Sequence, residues 1–351
     1  MDSPEYLITL KPSGNTFKVG ADETILDAAL RQGIGLPYGC RNGACGSCKG
    51  TLVSGVMEYG TYQERTLRPE EIAAGKALFC VGKPKCDLTL EVKEIGAAGD
   101  LQIRVLPCRV EKKEIVSPDV AVLSLKLPAQ ERLQFLAGQY IDILLKGGKR
   151  RSFSIANAPH EDQFIELHIR QIPGGEFTNH VFNEMRDRAI LRFEGPHGTF
   201  FLREDSDKPI IFMAGGTGFA PIKSVVSHAL HNHIDREMVL YWGCRSLADL
   251  YMARLAAQWA NEHPNLTFIP VLSEPKPEDN WSGRTGLVHQ AILDDFPSLA
   301  GYQVYACGAP AMIDAGQKAF FGRGLPEDEF FADSFTYSAP TPTTQPPGDT
   351  P

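Results

Sequence analysis

Cys40, Cys45 and Cys48 lie together in LPYGCRNGACGSCKG, and Cys80 stands alone further along the chain. A C-x4-C-x2-C run with a distant fourth cysteine is the plant-type arrangement for holding a [2Fe–2S] cluster. Gly39, Gly43 and Gly46 let backbone amides turn toward the sulfurs, because glycine tolerates positive φ and close approach. Such a cluster takes up one electron at a time, so the pattern points to electron transfer. A zinc site would pair two short C-x2-C hooks, and the second hook is missing here. Structural disulfides are disfavoured, since MDSPEYLITL has neither a basic segment nor an apolar run that would suggest secretion. Cys86, Cys108, Cys244 and Cys307 show no ligand spacing, and a buried small hydrophobe is the default reading for the first three.

Three further strings could bind phosphates or rings. In RSFS, Arg151 offers a guanidinium fork for phosphate, Phe153 a flat face for stacking, and Ser154 a hydroxyl for a ring nitrogen. The bland reading of RSFS is a solvated strand edge. In LHIRQIPGGEFT, Gly174 and Gly175 precede a helix expected to span Thr178–Met185, whose free amides and dipole would favour an anion. Taken by itself, a plain turn with a helix cap is the better explanation. AGGTGFAP, Ala214–Pro221, joins an apolar strand to a helix and lets backbone approach a pyrophosphate. It is neither G-x-G-x-x-G nor a P-loop, and on the motif alone a generic strand-to-helix turn is an equal reading. CGAP, Cys307–Pro310, closes a later strand, and ligands of doubly wound sheets sit at the carboxyl ends of strands, which would bring Gly216 and Cys307 to one crevice.

The elements around these strings divide into three styles. The first ninety-odd residues read as a small mixed sheet with short helices, a β-grasp order, with a helix starting near Asp22 and stopping at Gly33. IGAAGDL reads as a linker. From Ile103 the pattern is all-β: VAVLSLKLP, QYIDILLK, RSFSIAN, QFIELHIRQ and AILRFEG are short alternating strands that suggest a small barrel. After Pro209 strands alternate with helices, which implies a parallel sheet covered on both faces. The expected limits are 1–95 for the cluster unit, 96–102 for the linker, 103–204 for the barrel, 205–337 for the nucleotide unit and 338–351 for a disordered tail.

The chain has 351 residues, 43% hydrophobic, and a net charge of −8. That length suits two or three domains, and the acidic balance argues against nucleic acid as a main partner. No apolar run approaches the ~20 residues of a membrane-spanning helix, and the cytoplasm is the expected location.

The order RSFS, PGGEFT, GGTGFAP, CGAP and EFFADSF resembles the ferredoxin–NAD(P)H reductase family. With the cluster motif in front, residues 1–337 look like an oxygenase-reductase type chain, and stretches such as LHIRQIPGG are similar to the CDP-6-deoxyhexoseen reductase group. The resemblance implies a β-grasp ferredoxin, a six-stranded antiparallel barrel for FAD, and a doubly wound parallel α/β sheet for NAD. It implies that Arg151 binds the flavin phosphate, Phe153 stacks near the flavin and Ser154 lies near its N5. The family often has tyrosine at the position of Phe153. Gly175 and Thr178 would cap the FAD pyrophosphate, with His168 and Arg170 lining the approach. Gly216, Thr217 and Gly218 would hold the nicotinamide dinucleotide, with Cys307 and Gly308 near its reactive ring. Phe335, in the terminal strand, would cover the flavin.

The implied function is an NAD(P)H-dependent reductase passing electrons through FAD and a [2Fe–2S] cluster to a partner, either an oxygenase or a CDP-6-deoxyhexose dehydratase. Ser154 and Cys307 are the residues expected nearest the chemistry. A redox-responsive sensor and a stand-alone flavin reductase are the competing readings. NADH is the favoured donor, since Asp249 could meet a free 2′-hydroxyl, with NADPH as the alternative through Arg245 and Ser246.

Overall fold

The computed structural model describes residues 4–96 and 101–336. The expected tail and most of the expected linker lie outside them. The first unit is a five-stranded sheet in the order Thr16–Gly20, Glu5–Lys11, Leu88–Glu91, Lys49–Ser54, Lys76–Leu78. Glu5–Lys11 runs parallel to Leu88–Glu91 and the other pairings are antiparallel, the β-grasp arrangement. The helix Ile25–Arg31 buries Ile25, Leu26, Ala28 and Ala29 on this sheet. Its cap is Thr24, whose Oγ1 accepts from the Asp27 amide at 3.1 Å, rather than the expected Asp22. Thr24 wins because its hydroxyl stands three residues before the amide it must satisfy.

The second unit is a sheet of six antiparallel strands, in the order Arg150–Ser154, Tyr140–Leu144, Ile190–His197, Arg104–Ser117, Val120–Lys126, Ile165–Arg170. An Ile155–Leu167 bridge and the Ala156 amide on the Glu166 carbonyl (2.8 Å) close it into a barrel. Inward residues such as Val110, Leu123, Ile141, Leu167 and Phe193 fill the interior. The strand Arg104–Ser117 is absent from the alternating pattern of the sequence. Two register shifts interrupt its pairing with Val120–Lys126, so inside-outside alternation holds only around Leu106, Cys108 and Val110. The helix expected at Thr178–Met185 runs instead over Glu176–Asn183, with Gly175 as its cap residue.

The third unit has six parallel strands: Arg284–Thr285, Leu266–Leu272, Met238–Cys244, Ile210–Gly215, Gln303–Gly308, Phe330–Ser334. Successive side chains of Ile210–Gly215 enter two different cores. Phe212 and Ala214 join helices Phe219–His231 and Ala253–Glu262, while Ile211 and Met213 join Val288–Asp295 and Pro310–Phe321. The sheet is therefore doubly wound. Chain progress reverses between Ile210–Gly215 and Gln303–Gly308, which opens a crevice at their carboxyl ends.

Candidate functional site

The four cysteines converge without forming a disulfide: all are free, Cys48 and Cys80 buried and Cys40 and Cys45 half-buried. The Ala44 amide donates to Cys40 Sγ (3.3 Å) and the Cys40 amide to Cys45 Sγ (3.4 Å). This path needs Gly43 at φ +73°, where a Cβ would stand 2.8 Å from the Thr61 carbonyl oxygen. Pairing of Lys49 with Leu78 brings Cys48 beside Cys80. The bond from Cys40 pulls Cys45 down to about 5 against the effect of burial, and Cys40 is pushed up in turn. Cys48 is pushed up and Cys80 pulled down by the same exchange. Four free thiols gathered at one place, two of them receiving backbone amides, fit a [2Fe–2S] cluster.

At the crevice of the parallel sheet, Gly215, Gly216, Thr217 and Gly218 lie against Cys307 and Gly308. A Cβ on Gly218 would come within 2.1 Å of the Cys307 carbonyl oxygen, so only glycine permits this approach. Gly216 adopts φ +53°, its carbonyl accepts from Trp242 Nε1 (3.0 Å), and a Cβ there would meet Arg170 Nη1 at 2.9 Å. Within the barrel Arg170 also donates from Nε to Asp119 (2.7 Å), which holds its guanidinium beside this loop.

The barrel contributes Ser154, whose Oγ donates to Asp333 Oδ2 at 3.4 Å. Asp333 is register partner to Cys307 in the adjacent strand. Burial, then the nearby Cys45, raise the Asp333 carboxyl to about 7, with the Ser154 bond opposing them. Burial and the Asp333 charge push the Cys307 thiol well up, so it remains protonated. All three units thus meet around one carboxylate that sequence reasoning did not single out. Its signal was a lone acid in the apolar run FFADSF.

Phe153 is half-buried with its ring 5.5 Å from that of Phe177, and Arg151 turns back so that Nη1 donates to the Arg150 carbonyl (2.8 Å). Thr178 Oγ1 accepts from the Ile172 amide (3.1 Å), which folds the PGGEFT turn onto the helix start. The His168 ring is enclosed, with Nε2 2.8 Å from Glu166 and Nδ1 2.9 Å from the Tyr251 hydroxyl. Those contacts put His168 in the joint between the barrel and the nucleotide unit. Phe335 lies one residue beyond the terminal strand, which ends at Ser334, and its amide donates to the Gly308 carbonyl (2.9 Å).

Three family models match: a 2Fe-2S iron-sulfur cluster binding domain over residues 8–85, an oxidoreductase FAD-binding domain over 107–202, and an oxidoreductase NAD-binding domain over 212–318. The chain is 44% identical over 331 residues to the CDP-6-deoxy-L-threo-D-glycero-4-hexulose-3-dehydrase reductase of Yersinia pseudotuberculosis, covering 94% of this chain and 98% of that one. It belongs to the ferredoxin–NAD(P)H reductase family. This reductase is also 34% identical to the terephthalate 1,2-dioxygenase reductase component 2 of Comamonas, over 94% of this chain and 97% of that one. The crystal structure of the Amycolatopsis reductase GcoB superposes with a TM-score of 0.77 at 35% identity, covering 95% and 99% of the two chains. The reductase is an oxidoreductase that carries electrons from NAD(P)H through FAD and a [2Fe–2S] cluster to a partner. No helix among its described residues is long and apolar enough to cross a membrane.

Proposed function

We propose that this reductase delivers electrons to a dehydratase acting on a CDP-linked 6-deoxyhexose. Support comes from the 44% identity, spread over nearly the whole of both chains, with the Yersinia dehydrase reductase, against 34% with the dioxygenase component. An oxygenase is the second reading. We further propose domain limits of 1–95, 103–204 and 205–337, and a cytoplasmic location.

The observation that carries the site assignment is the meeting of Ser154, Asp333 and Cys307, one from the barrel and two from the parallel sheet, with Cys45 of the cluster loop nearby. Bound FAD would supply the conversion of a two-electron hydride into single electrons. Arg151 would hold its phosphate, Phe153 would stack near its ring, and Gly175 and Thr178 would present the helix start to its pyrophosphate. Arg170 braces the Gly216 turn, and His168 acts from behind by holding the two units together. Gly216, Thr217 and Gly218 would admit the dinucleotide, with Cys307 and Gly308 near its reactive ring, and Phe335 would cover the flavin. Ser154 and Asp333 keep a proton-bearing pair at the point of transfer, and the protonated Cys307 brings no charge there. Cys40, Cys45, Cys48 and Cys80 bind the cluster.

NADH is the proposed donor. Asp249 accepts from both the amide and the hydroxyl of Ser246 at 3.0 Å, so that hydroxyl is engaged and a 2′-phosphate would face a carboxylate.

Cys45→Ser tests the whole assignment. The purified variant should lose the cluster's visible absorbance and its reduction of the dehydratase, while NADH-to-ferricyanide turnover through the flavin persists. Retained absorbance would remove Cys45 from the ligand set. Faster reduction of an oxygenase component than of the dehydratase by the intact protein would favour the second reading.

A further inference from the structure

The segment that carries the first cluster ligand is also the one that docks on the barrel. The Tyr38 amide donates to Thr199 Oγ1 (2.9 Å) and the Thr199 amide to the Tyr38 carbonyl (3.1 Å), a reciprocal pair like a rung of a sheet. One residue on, the Tyr140 hydroxyl donates to the Gly39 carbonyl at 2.6 Å. Gly39 precedes Cys40. Next comes Arg41, whose guanidinium bonds Asp27 of its own unit (2.8 Å) and stands 3.8 Å from Glu194 of the barrel. Tyr38, Gly39 and Arg41 therefore contact the barrel on either side of Cys40.

On the barrel side the joint is built rather than incidental. Tyr140 is buried, its ring 5.5 Å from that of fully buried His197, and burial keeps its phenol protonated and hence a donor. Beneath it, Asp142, Glu194 and His197 converge closely enough to suggest a cation site. Arg150 forks onto Glu194, and Ser152 donates to Asp142 at 2.6 Å, so these carboxylates are already committed. The cluster is a charged platform that fixes Tyr140 and receives Arg41. Tyr140 is also the register partner of Ser154, so both side chains leave the same face of neighbouring strands.

We propose that Tyr140, with Thr199, is a positioning residue for electron transfer inside the molecule: its hydrogen bond to Gly39 fixes the Cys40 thiolate against the face of the barrel that bears Ser154. The proposal rests on the reading of Cys40 as a cluster ligand and of Ser154 as lying at the flavin. One electron crosses the joint at a time, and no bond or proton is exchanged across it. A short, saturated backbone contact beside the ligand keeps that crossing at one distance, where a mobile domain would sample many.

Tyr140→Phe, which keeps the ring and removes the donor, is the test, carried out on the full chain loaded with flavin and cluster. Loss of one hydrogen bond should let the joint open about fivefold more often. Amide hydrogen exchange over residues 38–40 and at Thr199 should accelerate by that factor. After mixing with NADH, cluster bleaching should slow severalfold, because the closed joint itself loses the contact that sets its spacing at Gly39, while flavin bleaching keeps its rate, a split that general destabilisation would not produce. Thr199→Val should give the same split, and Thr199→Ser, which retains the hydroxyl, should restore it; these two carry the test if Tyr140→Phe does not fold. Unchanged exchange together with unchanged cluster bleaching would overturn the proposal. Absence of cluster absorbance in the unsubstituted protein would instead overturn the reading beneath it.

Discussion

The barrel meets its two neighbours in different ways. Against the nucleotide unit, Lys223 reaches from the helix Phe219–His231 to the Ala156 carbonyl (3.2 Å) and Glu166 (3.1 Å). His168 completes the set between Glu166 and Tyr251, and Ser224 donates to the Asn157 carbonyl at 2.7 Å. Phe219, Trp242 and Tyr251 form an aromatic stack beside it. Most of these side chains are buried, so the joint has the character of a domain interior. Against the cluster unit, the barrel uses the amide and hydroxyl of Thr199 and one phenol, and the rim is completed by ion pairs at the surface: Arg41–Glu194, and Arg65–Asp314 and the exposed Lys93–Asp328 to the nucleotide unit. Hydride transfer demands fixed contact between reacting atoms, whereas an electron crosses a gap. The deeper joint serves the more demanding step.

The largest expected effect comes from breaking the deep joint. Lys223→Met leaves Glu166 without its ammonium partner and should cost about 3 kcal/mol of stability, read as a lower midpoint in denaturant. If the midpoint falls no further than for a rim substitution, the contrast between the joints is lost. Acid should act on the same place. Burial would raise Glu166, yet His168 and Lys223 outweigh it and hold the carboxyl at about 2. A depressed carboxyl stabilises above its unfolded value of 4.5, and that stability is lost as pH falls from 4.5 toward 2, on the order of 2 kcal/mol. Lys223→Met should flatten this loss.

Asp333 gives a smaller effect of opposite sign. Its carboxyl is raised from 3.8 to about 7, so the folded protein holds a proton there that the unfolded chain releases. Its stabilising contribution is full below pH 3.8 and is lost as pH rises toward 7, by on the order of 1 kcal/mol given its partial exposure. Asp333→Asn should remove that slope from the flavin-free protein's stability profile. The smallest change belongs to the rim: Arg65→Ala should cost less than about 1 kcal/mol and should abolish part of the salt dependence of melting. A loss as large as that of Lys223→Met would mean the cluster unit is as firmly built in as the nucleotide unit.

The chemistry-bearing strings were legible where spacing alone dictates geometry. The cysteines of 40–48 need only a tight loop, and GGTGFAP needs only a strand before it and a helix after. Both types of signal are local. The strand Arg104–Ser117 was hidden because its bulges disturb the alternation that announces a strand. Asp333 and Tyr140 act across units, and nothing in EFFADSF or AGQYIDI tells which distant backbone their polar atoms will face. His168 illustrates the same limit: the family resemblance implies a place on the flavin approach, while its ring is engaged by Glu166 and by Tyr251 from another unit. Asp22 was displaced by Thr24 for a purely local reason, since two good capping residues stood within three positions of each other.

Cys48 and Cys80 are drawn together by strand pairing at Lys49 and Leu78, and by the Phe79 amide on the Cys48 carbonyl. The fourth sulfur is therefore placed by the sheet and not by the cysteine loop. A one-residue slip of the short strand Lys76–Leu78 would turn Cys80 away from the other three sulfurs as effectively as replacing it.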